Sequence, residues 1–179
     1  MKVGEAAFAI DPLSSSGVQC AIQSGLAAAL AIHTMLDGER DAAVGYLRDH
    51  QRHAVEHHAA LAARAYADCR AYAGEPFWAR RAASAQAPPT RDPAPLETLL
   101  PHPVRLAPGA ALAPVPCIVG ERVATRRALT DPSLARPVAF LGGVELAPLL
   151  DRLDGGRPLS ELPRPVASWL AARGLLEPV

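Results

Sequence analysis

Two long runs of apolar and alanine-rich sequence near the amino terminus predict helices. The first extends from Gly17 to Leu36 and would span roughly 30 Å as a helix. The second extends from about Glu39 to Tyr72, with apolar residues near helical spacing and charged residues available for the solvent side. Gly38 separates the two runs, because a glycine just after a periodic segment commonly ends a helix. The first half of the chain is therefore expected to be helical.

The first of these helices is long enough in principle to cross a bilayer. Polar side chains interrupt it, however, at Gln19, Gln23, Ser24 and His33, and such groups are costly in a membrane span. Its small residues instead allow another segment of backbone to approach closely. We therefore expect a helix packed inside a protein, and no membrane partner.

Proline marks a change of composition in the middle of the chain. Nine of the 18 prolines lie between residues 84 and 116, and proline prevents regular helix while favouring extended chain. This stretch is interpreted as a proline-rich linker. It divides the chain into a helical region over residues 1–83, the linker over 84–116, and a smaller module over 117–179.

The smaller module is predicted to contain short strands and short helices. Strands are expected over Val115–Val123 and Arg136–Leu141, and again at Leu175–Leu176. Helices are expected over three segments, which are Val144–Leu153, a start at Pro158–Leu162, and Pro165–Arg173. This order resembles a small winged-helix module. The fold class is thus mainly α with a small β content.

The segment before the first helix is predicted to form one wall of a ligand site. It has a short apolar strand, a turn containing Gly4 and Glu5, an Asp-Pro loop and a helix start at Gly17. Gly4 permits a tight turn, and an ionised Glu5 can only accept hydrogen bonds, as from sugar-type hydroxyls. The serines at 14–16 are good N-cap residues. The free amides at a helix start favour an anionic or electron-rich group.

Three short runs in this segment carry a family resemblance. Gly4-Glu5-Ala6-Ala7, then Asp11-Pro12, then Ser16-Gly17-Val18 is similar to the second FAD fingerprint of class A flavin-dependent monooxygenases and tryptophan-halogenase-like proteins. The resemblance implies a partial FAD-binding domain of Rossmann type. In that family the acidic residue holds ribityl or neighbouring hydroxyls, the proline loop lies by the isoalloxazine, and the helix-start amides face the pyrimidine edge. This sequence has Glu5 where the family usually has Asp, which moves the acceptor outward by a methylene.

The resemblance assigns these roles to numbered positions. Glu5 takes the hydroxyl-binding role, Asp11 to Leu13 lie beside the ring, and the amides from Gly17 to Gln19 face its pyrimidine edge. In the halogenase-like branch a serine before the glycine can hold a halide. The predicted cofactor-binding residues are Gly4, Glu5, Asp11, Pro12, Leu13, Ser15, Ser16, Gly17, Val18 and Gln19. No catalytic residue is assigned.

The FAD site implied by the resemblance is incomplete. No Gly-x-Gly-x-x-Gly follows a strand in this sequence, and that fingerprint would hold the FAD pyrophosphate. The halogenase-type Trp-x-Trp-x-x-Pro segment and its lysine are also missing, since Lys2 is the sole lysine. An upstream-encoded Rossmann-containing subunit or a missing N-terminal part is therefore expected as a partner.

Other chemistry is less favoured by the sequence. His50, His53 and His57 lie near one face of the second helix, but a solvated stripe explains them as well, and no metal is predicted. Three cysteines without a CxxC pair indicate neither a disulfide framework nor a zinc knuckle. Lys and Arg number 18, as do Asp and Glu, so no nucleic-acid partner is expected. No secretory signal pattern is found, which favours the cytoplasm.

Two functions remain open at this point. In the first, the chain is a fragment or subunit of an FAD-dependent oxidoreductase, a monooxygenase or halogenase-like enzyme, that is inactive alone and supplies the ribityl and isoalloxazine side of the flavin site. In the second, it is a non-catalytic helical and winged-helix interaction module that retains a relic flavin loop. A peptide or protein substrate is compatible with the flavin loop and with the terminal module, by analogy at the fold level.

Overall fold

The computed structural model describes residues 2–12, 15–85, 89–153 and 157–179. This part of the chain is mainly helical with small two-stranded sheets, as the sequence predicts. The chain divides into two compact units: the first contains residues 1–87 with 116–124, and the second contains residues 88–115 with 125–179.

The elements are numbered in chain order. Helices α1 to α6 cover Gly17–Leu36, Arg40–Asp68, Pro76–Ala82, Leu96–Leu99, Ala147–Leu153 and Arg164–Ala171. Strands β1 to β6 cover Val104–Leu106, Ala111–Val119, Arg122–Thr130, Phe140–Leu141, Val144–Glu145 and Leu176–Pro178. Short 3-10 helices cover Gly4–Ala6, Arg70–Tyr72 and Leu159–Glu161.

The first unit is built on the packing of α1 against α2. The two helices are joined by a tight turn in which Gly38 adopts a φ of +95°, a conformation that favours glycine. Their contact is made almost wholly by small side chains, so the two backbones lie close together. The buried residues of this contact are Ala27, Ala28, Ala31, Ala43 and Leu47.

Helix α1 buries only small residues and exposes most of its large apolar ones. Its buried residues are Cys20, Ser24, Ala27, Ala28, Ala31 and Thr34. Its exposed large apolar residues, here called the α1 stripe, are Val18, Ile22, Leu26, Ile32 and Leu36. The two ends of the stripe, Val18 and Leu36, are 75% and 81% exposed. A surface helix of a globular protein normally has the opposite arrangement.

The tip of the β2–β3 hairpin belongs to the first unit and is held by Thr34. The buried Thr34 hydroxyl accepts a hydrogen bond from the Val123 N–H at 2.8 Å and donates to the Leu30 carbonyl at 2.8 Å. Arg122 forms an ion pair with Asp37 at 2.8 Å. Residues far along the chain therefore cap the end of α1.

The second unit encloses a leucine-rich core. Strand β1 pairs antiparallel with β6, with Leu106 opposite Leu176. Where the sequence predicts a linker over residues 84–116, the structure has α4, β1 and most of β2. Leu99 and Val104 from this stretch are buried in the second unit, because their apolar side chains pack into its leucine-rich core. The largest fully buried leucines are Leu129, Leu146, Leu150, Leu153, Leu159, Leu170 and Leu175.

The carboxyl-terminal elements follow the predicted order with shifted bounds. Helix α5, the 3-10 helix Leu159–Glu161, α6 and β6 occur where three short helices and a returning strand are expected. The strand expected over 136–141 is limited to β4, and the start of the helix expected at Val144 is β5 instead. These two strands form a hairpin turned by Gly142 and Gly143, both with positive φ. The winged-helix comparison stays a prediction.

Strands in the described ranges pair only two at a time. The pairings of β1 with β6 and of β4 with β5 are antiparallel, whereas a Rossmann-type domain is built on a parallel sheet. The Rossmann-type remnant is therefore not confirmed by these sheets.

A buried carboxylate ties the proline-rich stretch to the end of β3. The Arg91 guanidinium donates to both oxygens of Asp131, at 2.7 Å to Oδ2 from one nitrogen. The Ser133 N–H donates to Asp131 Oδ1 at 2.8 Å. The Asp131 side chain is 1% exposed, and these bonds, led by that of Arg91, lower its pKa from 3.8 to about 2 despite its burial.

We expect Asp131→Asn to destabilise the chain by about 2 kcal/mol, because it removes a paired, buried charge. The folded pKa of Asp131 lies below its unfolded value. Its stabilisation is therefore present above pH 3.8 and is lost as the pH falls toward about 2. Urea unfolding measured at neutral and at acidic pH tests both effects.

The matched control is Asp151→Asn, which breaks the exposed ion pair of Asp151 with Arg127. It should change the free energy of unfolding by less than about 1 kcal/mol. Equal losses for the two variants would contradict the role given to Asp131.

Candidate functional site

The segment before α1 is a 3-10 turn, and the short strand predicted there is wrong. The Gly4 N–H donates to Ser24 Oγ on α1 at 2.9 Å, and the Gly4 carbonyl accepts from the Ala7 N–H at 2.9 Å. Gly4 has a φ of +61°, which favours glycine. Because both of its backbone groups are engaged inside the chain, Gly4 anchors the turn to α1.

The predicted cofactor-binding residues lie along the surface of the first unit. Those that are exposed are Glu5, Pro12, Ser15, Gly17, Val18 and Gln19. Those that are half-buried are Gly4, Asp11 and Ser16, while Leu13 lies outside the described residues. The loop between them turns at Ser15, which has a φ of 52° and donates its N–H to the Pro12 carbonyl at 3.0 Å.

The start of α1 presents open backbone amides. The helix begins at Gly17, as predicted, and Ser16 precedes it without a capping hydrogen bond from its side chain. The Cys20 N–H bonds to the Ser16 carbonyl at 2.9 Å, so the amides of the three residues between them have no acceptor within the helix. These residues are exposed. The positive end of a 20-residue helix thus faces solvent.

Asp11 is held by a residue far along the chain. The Tyr66 hydroxyl on α2 donates to Asp11 Oδ2 at 2.9 Å. This hydrogen bond, with burial, raises the pKa of Tyr66 above 10.0. The Asp-Pro loop is therefore fixed against α2 by a protonated phenol.

A cavity of about 380 Å³ lies beside this pair in the first unit. The loop at residues 9–11 forms one side, and small residues of α2 form an apolar wall. Its polar lining includes His58, Arg80, Arg81 and Ser84 as well as Asp11 and Tyr66. Both its size and its mixed lining are those of a small-ligand site.

Cys20 and His58 form a close pair beneath the loop. The Cys20 Sγ lies 2.8 Å from His58 Nε2. Burial, and then the neighbouring His57, lower the pKa of His58, so its ring is neutral at pH 7. His58 Nδ1 is buried and has no hydrogen-bond partner in the described part of the chain. Among those same residues, no group of three His, Cys, Asp or Glu side chains could hold a metal ion.

Aromatic rings surround Tyr66 at the end of α2. Its ring centroid lies 6.1 Å from that of Phe77 and 5.2 Å from that of Trp78. The Arg81 guanidinium lies 3.8 Å from the Phe77 ring centroid and 5.6 Å from that of Tyr66. Helix α3 is therefore packed on α2 by rings and a stacked cation.

Helix α1 is long and apolar enough to cross a membrane, judged by length and composition alone. About a third of the relevant window is buried within the chain. The core helix of a soluble protein meets the same criterion, so this finding does not identify a membrane span.

Comparison with known proteins identifies one informative similarity. No family model matches this chain, and no curated protein matches it. The fold is similar to the solved structure of the peptidyl tryptophan dihydroxylase QhpG, which is essential for tryptophylquinone cofactor biogenesis, with a TM-score of 0.76 and 27% sequence identity. The match covers 98% of this chain and 41% of QhpG. This chain thus spans about two-fifths of the length of that protein.

This finding corrects the family predicted from the FAD-like runs. The tryptophan-halogenase-like assignment is wrong, because the similar structure is a dihydroxylase of peptidyl tryptophan and no family model supports the motif. The strand that would carry the first run is also a 3-10 turn.

Apart from Asp11, the residues around the cavity are not assigned from the sequence. His58 was visible only as one of several histidines on a long helix, and Tyr66 and Arg81 only as members of an aromatic-rich stretch. Asp11 and Tyr66 are 55 positions apart. No local pattern indicates such a pair, although the concentration of rings at residues 66–78 is a signal of close packing.

We expect Tyr66→Phe to lower the urea midpoint at neutral pH, because the variant loses the hydrogen bond to Asp11 and keeps the ring. The folded state holds the phenolic proton more tightly than the unfolded state. The stabilisation is therefore present below pH 10.0 and is lost as the pH rises through the higher folded pKa. Urea unfolding at neutral and alkaline pH measures both the lower midpoint of the variant and the loss of this stabilisation at high pH.

Tyr72→Phe is the matched control, since Tyr72 is 52% exposed and stacks on Trp78 through its ring. It should leave the urea midpoint nearly unchanged. A Tyr66→Phe variant as stable as this control at every pH would show that the Asp11 contact contributes nothing.

Proposed function

We propose that this chain is part of an oxidoreductase that hydroxylates a tryptophan side chain within a peptide. The observation that carries the proposal is the match to QhpG, a peptidyl tryptophan dihydroxylase, over 98% of this chain at 27% identity and a TM-score of 0.76. Similarity of fold by itself does not indicate a shared function. Here it is accompanied by 27% sequence identity over nearly the whole chain, which favours a shared class of chemistry.

In this proposal the cofactor is FAD, which when bound supplies the activation of oxygen that hydroxylation needs. The open amides from Gly17 to Gln19 suit the electron-rich edge of its ring. Glu5 is exposed and can accept hydrogen bonds from ribityl hydroxyls.

The other predicted residues have supporting roles. Gly4 and Asp11 already hydrogen-bond to Ser24 and Tyr66, so they shape the loop on which the cofactor would rest. Pro12 is exposed and stiffens that loop. The groups that hold the pyrophosphate come from another polypeptide segment, since this sequence has no glycine fingerprint for it.

The α1 stripe is the surface that this other segment would cover. Five large apolar side chains follow one side of α1, and the opposite side is already buried against the first unit. Exposed apolar surface of this extent commonly marks an interface. The match covers 41% of QhpG, so more than half of that protein has no counterpart in this chain. We infer that a nucleotide-binding segment, on this polypeptide or on a separate one, packs on the stripe.

Co-expression tests the proposed function. The chain purified alone should lack flavin absorbance, whereas the chain co-purified with an adjacent-gene product that carries a Gly-x-Gly-x-x-Gly strand and helix should be yellow. Supplied with dioxygen and a hydride donor such as NADPH, which reduces the second oxygen atom of each dioxygen to water, the complex should add two oxygen atoms to tryptophan in a peptide, as detected by mass spectrometry. No flavin and no mass gain in the complex would favour the interaction module with a relic loop.

Glu5→Gln in this complex should weaken FAD binding by about tenfold, because an amide is a poorer acceptor than a carboxylate. The matched control is Glu39→Gln, which changes an exposed carboxylate before α2. FAD titration followed by absorbance measures both affinities. Equal affinities in the two variants would remove Glu5 from the cofactor site.

Leu26→Asp should abolish co-purification with the nucleotide-binding segment while leaving the helix content of the chain unchanged, because Leu26 is 63% exposed. Ile118→Asp, at a residue of the hairpin that is 45% exposed, is the control and should co-purify normally. Circular dichroism and pull-down together decide the result. Partition of the wild-type chain into lipid vesicles, lost in Leu26→Asp, would instead assign the stripe to a membrane.

A further inference from the structure

The cavity beside Tyr66 carries an excess of positive charge. Among the described residues that line it are two guanidiniums, of Arg80 and Arg81, and a single carboxylate, of Asp11. That carboxylate already accepts the Tyr66 hydroxyl. His58 adds no charge near pH 7, because burial lowers its pKa. The lining therefore favours an anionic group.

The charges of the two arginines are not neutralised by ion pairs in the described ranges, although Arg81 also interacts with Tyr66. Neither forms an ion pair with an acidic side chain in the described part of the chain. Arg81 is oriented by its stacking on Phe77, which reduces the entropy that it would lose on binding. Both residues are exposed, so a ligand can reach them from solvent.

One residue of the cavity wall has a buried polar atom without a hydrogen-bond partner among the described residues. This atom is Nδ1 of His58. When the Cys20 thiol donates to Nε2, the hydrogen of the neutral ring lies on Nδ1, which becomes a donor. An unsatisfied buried donor is costly, and this one lies below the accessible surface of the cavity wall.

The remaining wall is apolar and made of small side chains. Val55, Ala59, Ala62 and Ala63 of α2 lie along it, with Ile10 opposite in the loop. Small residues leave room for the carbon body of a ligand, and the volume of about 380 Å³ suits a small molecule or one side chain.

We propose that this cavity binds a carboxylate attached to an apolar body, with Arg80 and Arg81 holding the carboxylate and the alanine wall of α2 holding the body. The carboxylate belongs either to a free organic acid or to an acidic side chain of a peptide. This site shares Asp11 with the loop on which FAD would rest, but its binding requires neither FAD nor a partner.

Calorimetric titration of the full chain tests this site. The probe is 3-phenylpropionate, with 3-phenylpropionamide as its uncharged match. The acid should bind at least about tenfold more tightly than the amide, the ratio expected for one charge-assisted hydrogen bond. A capped alanine peptide with one internal glutamate, and its glutamine match, form the second arm.

Variants locate the binding. Arg80→Gln and Arg81→Gln should each lower the affinity for the acid by about tenfold. Ala59→Leu should prevent the binding of both the acid and the amide, because the larger side chain fills the cavity. Arg64→Gln, which alters an exposed arginine of α2 that does not line the cavity, should bind like the wild type. Thermal melts confirm that each variant is folded.

Tighter binding of the free acid or of the glutamate peptide identifies the source of the carboxylate, and either result supports the site. Equal binding of acid and amide, affinity that does not depend on the arginines, or no binding of any probe would overturn it. These results do not depend on flavin absorbance or tryptophan oxidation, so they are distinguishable from failure of the proposed function.

Discussion

The close contact between α1 and α2 is the constraint on which the first unit depends. Three alanines of α1 meet Ala43 and Leu47 of α2 across this interface, and such small side chains allow the two backbones to approach closely. The large apolar residues of α1 consequently lie on its other side. The amino-terminal turn, held by Ser24, and the hairpin tip, held by Thr34, bind to polar groups on the buried side of the same helix. One face of α1 thus organises the unit, and the other is left for a further contact.

This arrangement connects the fold to the proposed chemistry. The open amino end of α1 lies next to the loop that Tyr66 fixes through Asp11, and the cavity begins at that loop. A cofactor at the helix start and a ligand in the cavity would therefore be neighbours within one unit. Under the proposal that a nucleotide-binding segment packs on it, the exposed stripe has a physical reason, since such a segment would bury it.

The sequence predicted the helices well because their signals are local. Gly38 ends α1, and the periodic apolar residues on either side of it are sufficient to indicate two long helices. The same local method failed at Gly4, where an apolar run predicted a strand. The amide of Gly4 bonds instead to Ser24, 20 positions away, and no pattern of neighbouring residues carries that information. The proline-rich stretch is a similar case, because Leu99 and Val104 are drawn into a core whose other members lie far along the chain.

The sequence by itself determined the helical character of the first half, the start of α1 at Gly17 and the order of short elements after residue 140, since propensity, capping and turn residues act over a few positions. It also led to the proposal of oxidative chemistry, although the family drawn from the FAD-like runs was wrong. Only the tertiary structure decided which face of α1 is buried, which residues line the cavity and where Asp131 finds its cation. Those outcomes depend on close packing and on hydrogen bonds between residues that are distant in sequence. Such hydrogen bonds become stronger when folding buries them away from water.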